Sequence, residues 1–173
     1  MPRVVAALLI VVCSCHTAKP DGDGPPPAGT GHAAAPGVKD TNSVSVTLDR
    51  GACYGTCPIY SVTMLGSGAV TFKGERFVTT EGTATATVSR DTVRQVLEAF
   101  DRASFSSLPS SYQPGDSTCP HAATDMPSVN LTWEADGASK SVHFYYGCTG
   151  ITTSIPALSM KVDSLLDIGR WIK

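Results

Sequence analysis

The stretch Arg50–Tyr60 constrains this chain more than any other. It reads Arg-Gly-Ala-Cys-Tyr-Gly-Thr-Cys-Pro-Ile-Tyr, with two cysteines, two glycines and a proline in eleven residues. Such a stretch cannot continue a helix, because proline and glycine oppose it. It has to be a corner, and Ile59 onward alternates apolar and polar residues as a half-buried strand does. The segments before the corner read as delivery and tether, and those after it as a small domain folded onto it.

The N-terminus reads as an export signal. Met1-Pro2-Arg3 is a short positive start, and Val4 to Val12 is an unbroken apolar run of nine residues. Spanning a bilayer takes about 20 residues, so this length suits a signal h-region. The run ends in Val12-Cys13-Ser14-Cys15, which resembles the bacterial lipobox, with Cys15 as the lipid-modified first residue of the mature chain. His16, rather than Asp, follows it and points to the outer membrane. Residues 1–14 are thus expected to be a lipoprotein signal peptide and 15–42 a lipidated cysteine with a disordered tether. From His16 to Asn42 there are five prolines and five glycines and almost no large apolar residue, too little to offset the entropy of ordering. A flexible chain of that length holds a domain on the order of 30 Å from its anchor.

Residues 43–173 are expected to form a single domain. Strands are predicted over Ser43–Asp49, Ile59–Leu65 and Ala69–Lys73. Gly66-Ser67-Gly68 turns between the last two. Gly74-Glu75-Arg76 is expected to break the sheet, Phe77-Val78-Thr79 to resume extended structure, and Thr83–Val88 to add a further strand. Ser89 is a candidate N-cap for a helix of about four turns carrying Val93, Val96, Leu97, Phe100 and Ala103 on one side. Phe105 and Leu108 follow as core plugs, and 109–127 reads as loop. A hairpin is expected with Val129-Leu131-Trp133 on one arm and 140–146 on the other, turning at Ala135-Asp136-Gly137. Ser154 is expected to cap a last helix striped by Leu158, Val162, Leu165 and Leu166, and Trp171 and Ile172 to close against the sheet. The pattern is α+β: an antiparallel sheet of about five to seven strands (β-meander, helix, β-hairpin, helix) with two helices on one face.

The corner, Gly66-Ser67-Gly68, Gly74-Glu75-Arg76-Phe77-Val78, Asp125-Met126-Pro127-Ser128, Val142-His143-Phe144-Tyr145 and Arg170-Trp171-Ile172 together resemble a bacterial family, domain of unknown function 6438. The likeness runs from about residue 44 to 172, with Cys-x-Gly-Thr-Cys-Pro-x-Tyr as its signature. It implies exported or lipid-anchored domains, and supplies no activity, cofactor or catalytic residue.

Apart from Cys13 and Cys15, the cysteines are Cys53, Cys57, Cys119 and Cys148, which allow three pairings. Export implies an oxidising compartment, and the favoured set is Cys53–Cys57 with Cys119–Cys148. The alternatives are thiol-redox chemistry at Cys53 and Cys57, or zinc or copper held by Cys53, Cys57, Cys119, His121, His143 and Cys148. The Cys-x3-Cys spacing is not that of a thioredoxin-like motif and matches no zinc finger. A formal net charge of -2 gives no reason to expect a nucleic acid partner. The expectation is a disulfide-stapled interaction or structural module of the cell envelope. It would be a monomer, held to the membrane by its lipid, with no cofactor and no evident catalysis. Tyr54 and Thr56 are the candidate contact surface toward an envelope protein or ligand.

Overall fold

The computed structural model describes residues 41–173; the expected signal peptide, Cys13, Cys15, His16 and the expected tether up to residue 40 lie outside the described residues. Nine strands and three α-helices follow in chain order: β1 (Ser45–Arg50), β2 (Ile59–Leu65), β3 (Ala69–Arg76), β4 (Gly82–Thr87), α1 (Arg90–Arg102), β5 (Ser111–Tyr112), β6 (His121–Ala122), β7 (Ser128–Ala135), β8 (Ala138–Tyr145), β9 (Cys148–Thr149), α2 (Ile155–Leu165) and α3 (Gly169–Ile172). Seven strands make one sheet in the order β4-β3-β2-β1-β7-β8-β5, while β6 and β9 pair separately.

One sheet face is apolar because the alternation is in phase across the register. Leu48 stands opposite Val62 and Leu131, Val62 opposite Phe72, and Leu131 opposite Val142. All five are fully buried. Helix α1 packs there through Val93, Val96, Leu97 and Phe100, and α2 through Ile155, Leu158 and Val162. The opposite face carries Thr47, Thr63, Thr71, Thr132 and Ser141 at the adjacent register.

The domain is α+β, and four local expectations are corrected. Strand β3 does not stop at Lys73 but runs through Gly74, Glu75 and Arg76. Gly74 permits a close approach: a Cβ there would lie 2.0 Å from the Thr80 carbonyl oxygen. Phe77-Val78-Thr79 is then the bend rather than extended chain, with Phe77 at φ 56°. The segment 109–127 holds two short strands, of which β5 runs parallel to β8, so the sheet is not wholly antiparallel.

Ser89 caps α1 through its side chain, accepting from the Thr92 N–H. Ser154 holds the N-cap position of α2 but makes no side-chain cap bond; its Oγ donates instead to the Ala103 carbonyl and ties α2 to the end of α1. The last helical stretch is divided. Asp167, at φ 52°, ends α2 in a Schellman motif, with the Ile168 N–H on Asp163 O and the Asp167 N–H on Ser164 O. The reversal lets α3 lay Trp171 on Phe72, with ring centroids 4.8 Å apart.

Candidate functional site

Strand direction brings the corner, the C-terminal end of β3, the N-terminal end of β7 and the C-terminal end of β8 to one end of the sheet. Arg50 ends β1 and stands opposite Tyr60 of β2 and Val129 of β7. The eight-residue excursion between Arg50 and Ile59 is closed by a Cys53–Cys57 disulfide, Cα atoms 5.8 Å apart. Backbone hydrogen bonds tie the excursion down on one side: Gly51 N–H to Ser128 O and Tyr54 N–H to Asp125 O.

The strap 121–128 is laced in turn to β8 and its exit. The Tyr145 hydroxyl donates to Ala123 O and accepts from the Met126 N–H, and the Ala123 and Tyr146 N–H groups reach Gly147 O and Pro127 O. The second disulfide, Cys119–Cys148, has Cα atoms 5.1 Å apart and lies where β6 meets β9. Its sulfurs are on buried residues, 5% and 8% exposed, whereas Cys53 and Cys57 are only half-buried.

Beneath the corner lies a polar cluster that the sequence did not announce. The Arg50 guanidinium binds Asp163 Oδ2 at 2.5 Å and the Tyr146 hydroxyl at 2.6 Å. The Tyr60 hydroxyl donates to Asp163 Oδ1 at 2.7 Å. The Tyr146 and Ser159 hydroxyls lie 2.8 Å apart, and Ser159 Oγ donates to Pro156 O. Burial opposes the Arg50 charge, but Asp163, helped by Tyr146 and Tyr60, outweighs it and holds the guanidinium above the usual arginine range. Burial and then Asp163 push the Tyr60 phenol above the ordinary tyrosine range. Both groups are locked in their donor forms, so the cluster acts as a clamp between β1, β2, the exit of β8 and α2. Arg50 and Asp163 are 113 residues apart, beyond the reach of any sequence period.

The raised Tyr60 pKa sets the sign of a pH effect. Its contribution is complete below the unfolded tyrosine value of about 10 and is lost as the pH rises through the higher folded value. Thermal unfolding should therefore show stability falling above about pH 10, and Tyr60→Phe should flatten that slope. A variant with the same alkaline slope as the parent would remove Tyr60 from the explanation.

The sequence-designated residues fall in three places. Tyr54 and Thr56 project at the tip of the stapled corner, Tyr54 at 88% exposure. His121 is exposed on β6 opposite Thr149. His143 lies on the polar sheet face, between Asn130 and Ser111 in register. Cys53, Cys57, Cys119 and Cys148 are all bonded as disulfides, which removes the thiolates that the zinc or copper alternative needs. Among the described residues no group of three or more His, Cys, Asp or Glu side chains could hold a metal ion.

Two apolar side chains that the sequence reading did not single out join Tyr54 at this end. Phe77 follows Arg76, which pairs with Ile59 just beyond the corner. Met126 adjoins Asp125, to which Tyr54 is hydrogen-bonded. These three are among the five large apolar residues that the described residues leave exposed, with Phe77 at 42% and Met126 at 43%. Phe77 combines that exposure with a left-handed backbone, a conformation that costs a bulky residue about 1–3 kcal/mol, and the Arg76 guanidinium sits 5.1 Å from its ring centroid. The signal available in sequence was an aromatic directly after Gly-Glu-Arg at a strand end.

The family model for domain of unknown function 6438 (DUF6438) matches residues 44–166. That span holds the whole sheet, both disulfides and every member of the Arg50 cluster. The chain belongs to the DUF6438 family. No curated protein matches it. This DUF6438 domain is a disulfide-bearing α+β module with its corner, strap and polar clamp at one end of the sheet.

Proposed function

We propose that this DUF6438 domain is a lipid-anchored module of the bacterial cell envelope that docks a protein partner at the stapled end of its sheet. The observation that carries the docking reading is Tyr54, 88% exposed on a loop closed by a disulfide and pinned to Asp125. A rigid loop loses little entropy on binding, and an aromatic tip offers a large contact area. Phe77, held exposed at a backbone cost, and Met126 extend that surface. Thr56 supplies a polar contact at the loop tip.

The anchoring reading rests on the apolar run Val4 to Val12 before Cys15. Two disulfides suit an oxidising compartment, and His16 favours the outer membrane, at its periplasmic face or surface. The exposed Tyr54 on a loop closed by the Cys53–Cys57 bridge favours a binding role at this end of the sheet.

The test is photocrosslinking in the producing cell with a photoreactive amino acid at position 54, and at Thr71 on the polar face for comparison. A discrete adduct from position 54 only, depleted by Phe77→Gly, is expected. Equal or absent adducts at both positions would refute the docking tip. Membrane fractionation completes it: Cys15→Ala should move the chain from the membrane to the soluble fraction, and retention in the membrane would refute the anchor.

A further inference from the structure

The two edges of the seven-stranded sheet are treated differently. At one edge, β8 is covered: β5 pairs with it at His143 and Phe144, and Lys140 Nζ holds Leu108 O and Ser110 Oγ across its middle. At the other edge, β4 pairs with β3 and, among the described residues, with nothing beyond. Open edges are normally blunted by a lysine, a proline, a bulge or a covering segment. Strand β4, Gly-Thr-Ala-Thr-Ala-Thr, has no charge and no proline, and its register with β3 is unbroken.

We infer that β4 pairs antiparallel with β4 of a second copy of this chain, about a two-fold axis at Thr85. Three features of the strand single out a copy of itself as the occupant. First, Thr83-Ala84-Thr85-Ala86-Thr87 is a palindrome, so an isologous pair sets Thr83 against Thr87, Thr85 against Thr85 and Ala84 against Ala86. Every residue then keeps its own sheet face.

Second, the hydrogen-bond phase is right. The Val88 N–H donates to Gly68 O, so by the alternation of antiparallel pairs Ala86 and Ala84 also bond toward β3. The N–H and C=O groups of Thr83, Thr85 and Thr87 therefore point outward, and these are the residues that an axis at Thr85 makes into hydrogen-bonded pairs. Third, Thr85 ends a row that crosses the polar face in register through Thr71, Thr63, Thr47, Thr132 and Ser141. Within it the Thr47 and Thr63 hydroxyls lie 2.9 Å apart, and Thr132 and Ser141 3.1 Å apart. A second copy continues the same hydroxyl row through Thr85, and such cross-strand threonine pairs are favourable. The axis also brings Glu81 of one copy to the Arg90 end of the other, so unlike charges meet at each end.

Edges of this length bury less than a standard interface of about 1,600 Å², so the pair forms reversibly and its population rises with concentration. The test uses the purified full chain with its native disulfides. Paired Cα atoms in such a ladder lie about 5.5 Å apart, within disulfide reach. Under mild oxidation Thr85→Cys should crosslink to a dimer. Thr83→Cys should do so efficiently only when mixed with Thr87→Cys, and Thr132→Cys, inside the sheet, should not.

Thr85→Lys places two ammonium groups face to face on an exposed site that the fold tolerates. In sedimentation equilibrium it should weaken association at least about tenfold. A parent chain that stays monomeric at every concentration, as the sequence reading expected, would overturn the inference. So would equal crosslinking at Thr85 and Thr132, or a register other than 83 with 87.

Discussion

Replacing Cys119 and Cys148 together by alanine should lower the unfolding free energy by about 3.5 kcal/mol, the loop-closure value for their 29-residue separation. For a domain of this size that is a fall of about 12 °C in Tm. Alanine is the right replacement because both sites are buried, 5% and 8% exposed, and serine would add hydroxyls there. The same change at Cys53 and Cys57, four residues apart, should cost about 2 kcal/mol. The buried bridge ties the chain just before β6 to β9, and these paired strands of two residues each could not persist alone. Its loss should therefore also speed amide exchange along the strap 121–128. Calorimetry and hydrogen exchange on the two double variants measure both effects. If the Cys53 and Cys57 variant proved the less stable, the division between a stability bridge and a shaping bridge would be wrong.

Asp163→Asn should destabilise the domain by about 3 kcal/mol. The change leaves the Arg50 charge facing a neutral amide, with both side chains largely buried, at 16% and 22% exposure. It also weakens the Tyr60 hydrogen bond, which the carboxylate strengthens. Replacing both partners, Arg50→Met with Asp163→Leu, should recover more than half of the loss, because an apolar pair avoids the desolvation that the ions incur. Chemical denaturation of Arg50→Met, Asp163→Leu and the double variant measures the coupling. Additive costs would show that Arg50 and Asp163 do not act as a pair.

The parts of this fold that were legible are those with a local period. The alternation in Val44, Val46 and Leu48, and again in Tyr60, Val62 and Met64, marks strands because each buries one face. Ser89 and the spacing of Val93, Val96, Leu97 and Phe100 mark α1 for the same reason. What misled was glycine and the short strand. Gly74 reads as a breaker, yet it is there because Thr80 O comes too close for a side chain. Strands β5, β6 and β9 have two residues each, too few to show any alternation. The reversal from α2 into the short α3 was hidden because Asp167 takes the left-handed position that glycine usually fills.

At the candidate site, the corner was legible as a motif and Tyr54 as its tip. Phe77 and Met126 became visible only once the register set the end of β3 and the strap beside the corner. The Arg50–Asp163 clamp depends on packing α2 against β1, and no spacing along the chain carries it.

The position of β1 at the centre of the sheet has a kinetic consequence. Strands β1 to β4 form a run of neighbours that can zip as local hairpins while the chain is still short. The other side of β1 waits for β7: Ser45 pairs with Glu134 and Arg50 with Val129, contacts that close loops of about 80 to 90 residues. Until then the half-sheet presents the unpaired side of Leu48 and Val46, with no β7 and β8 beside them and no α2 above. The slow step in forming this domain should be the capture of the β7–β8 hairpin by β1, and the intermediate most prone to aggregate is the one just before it.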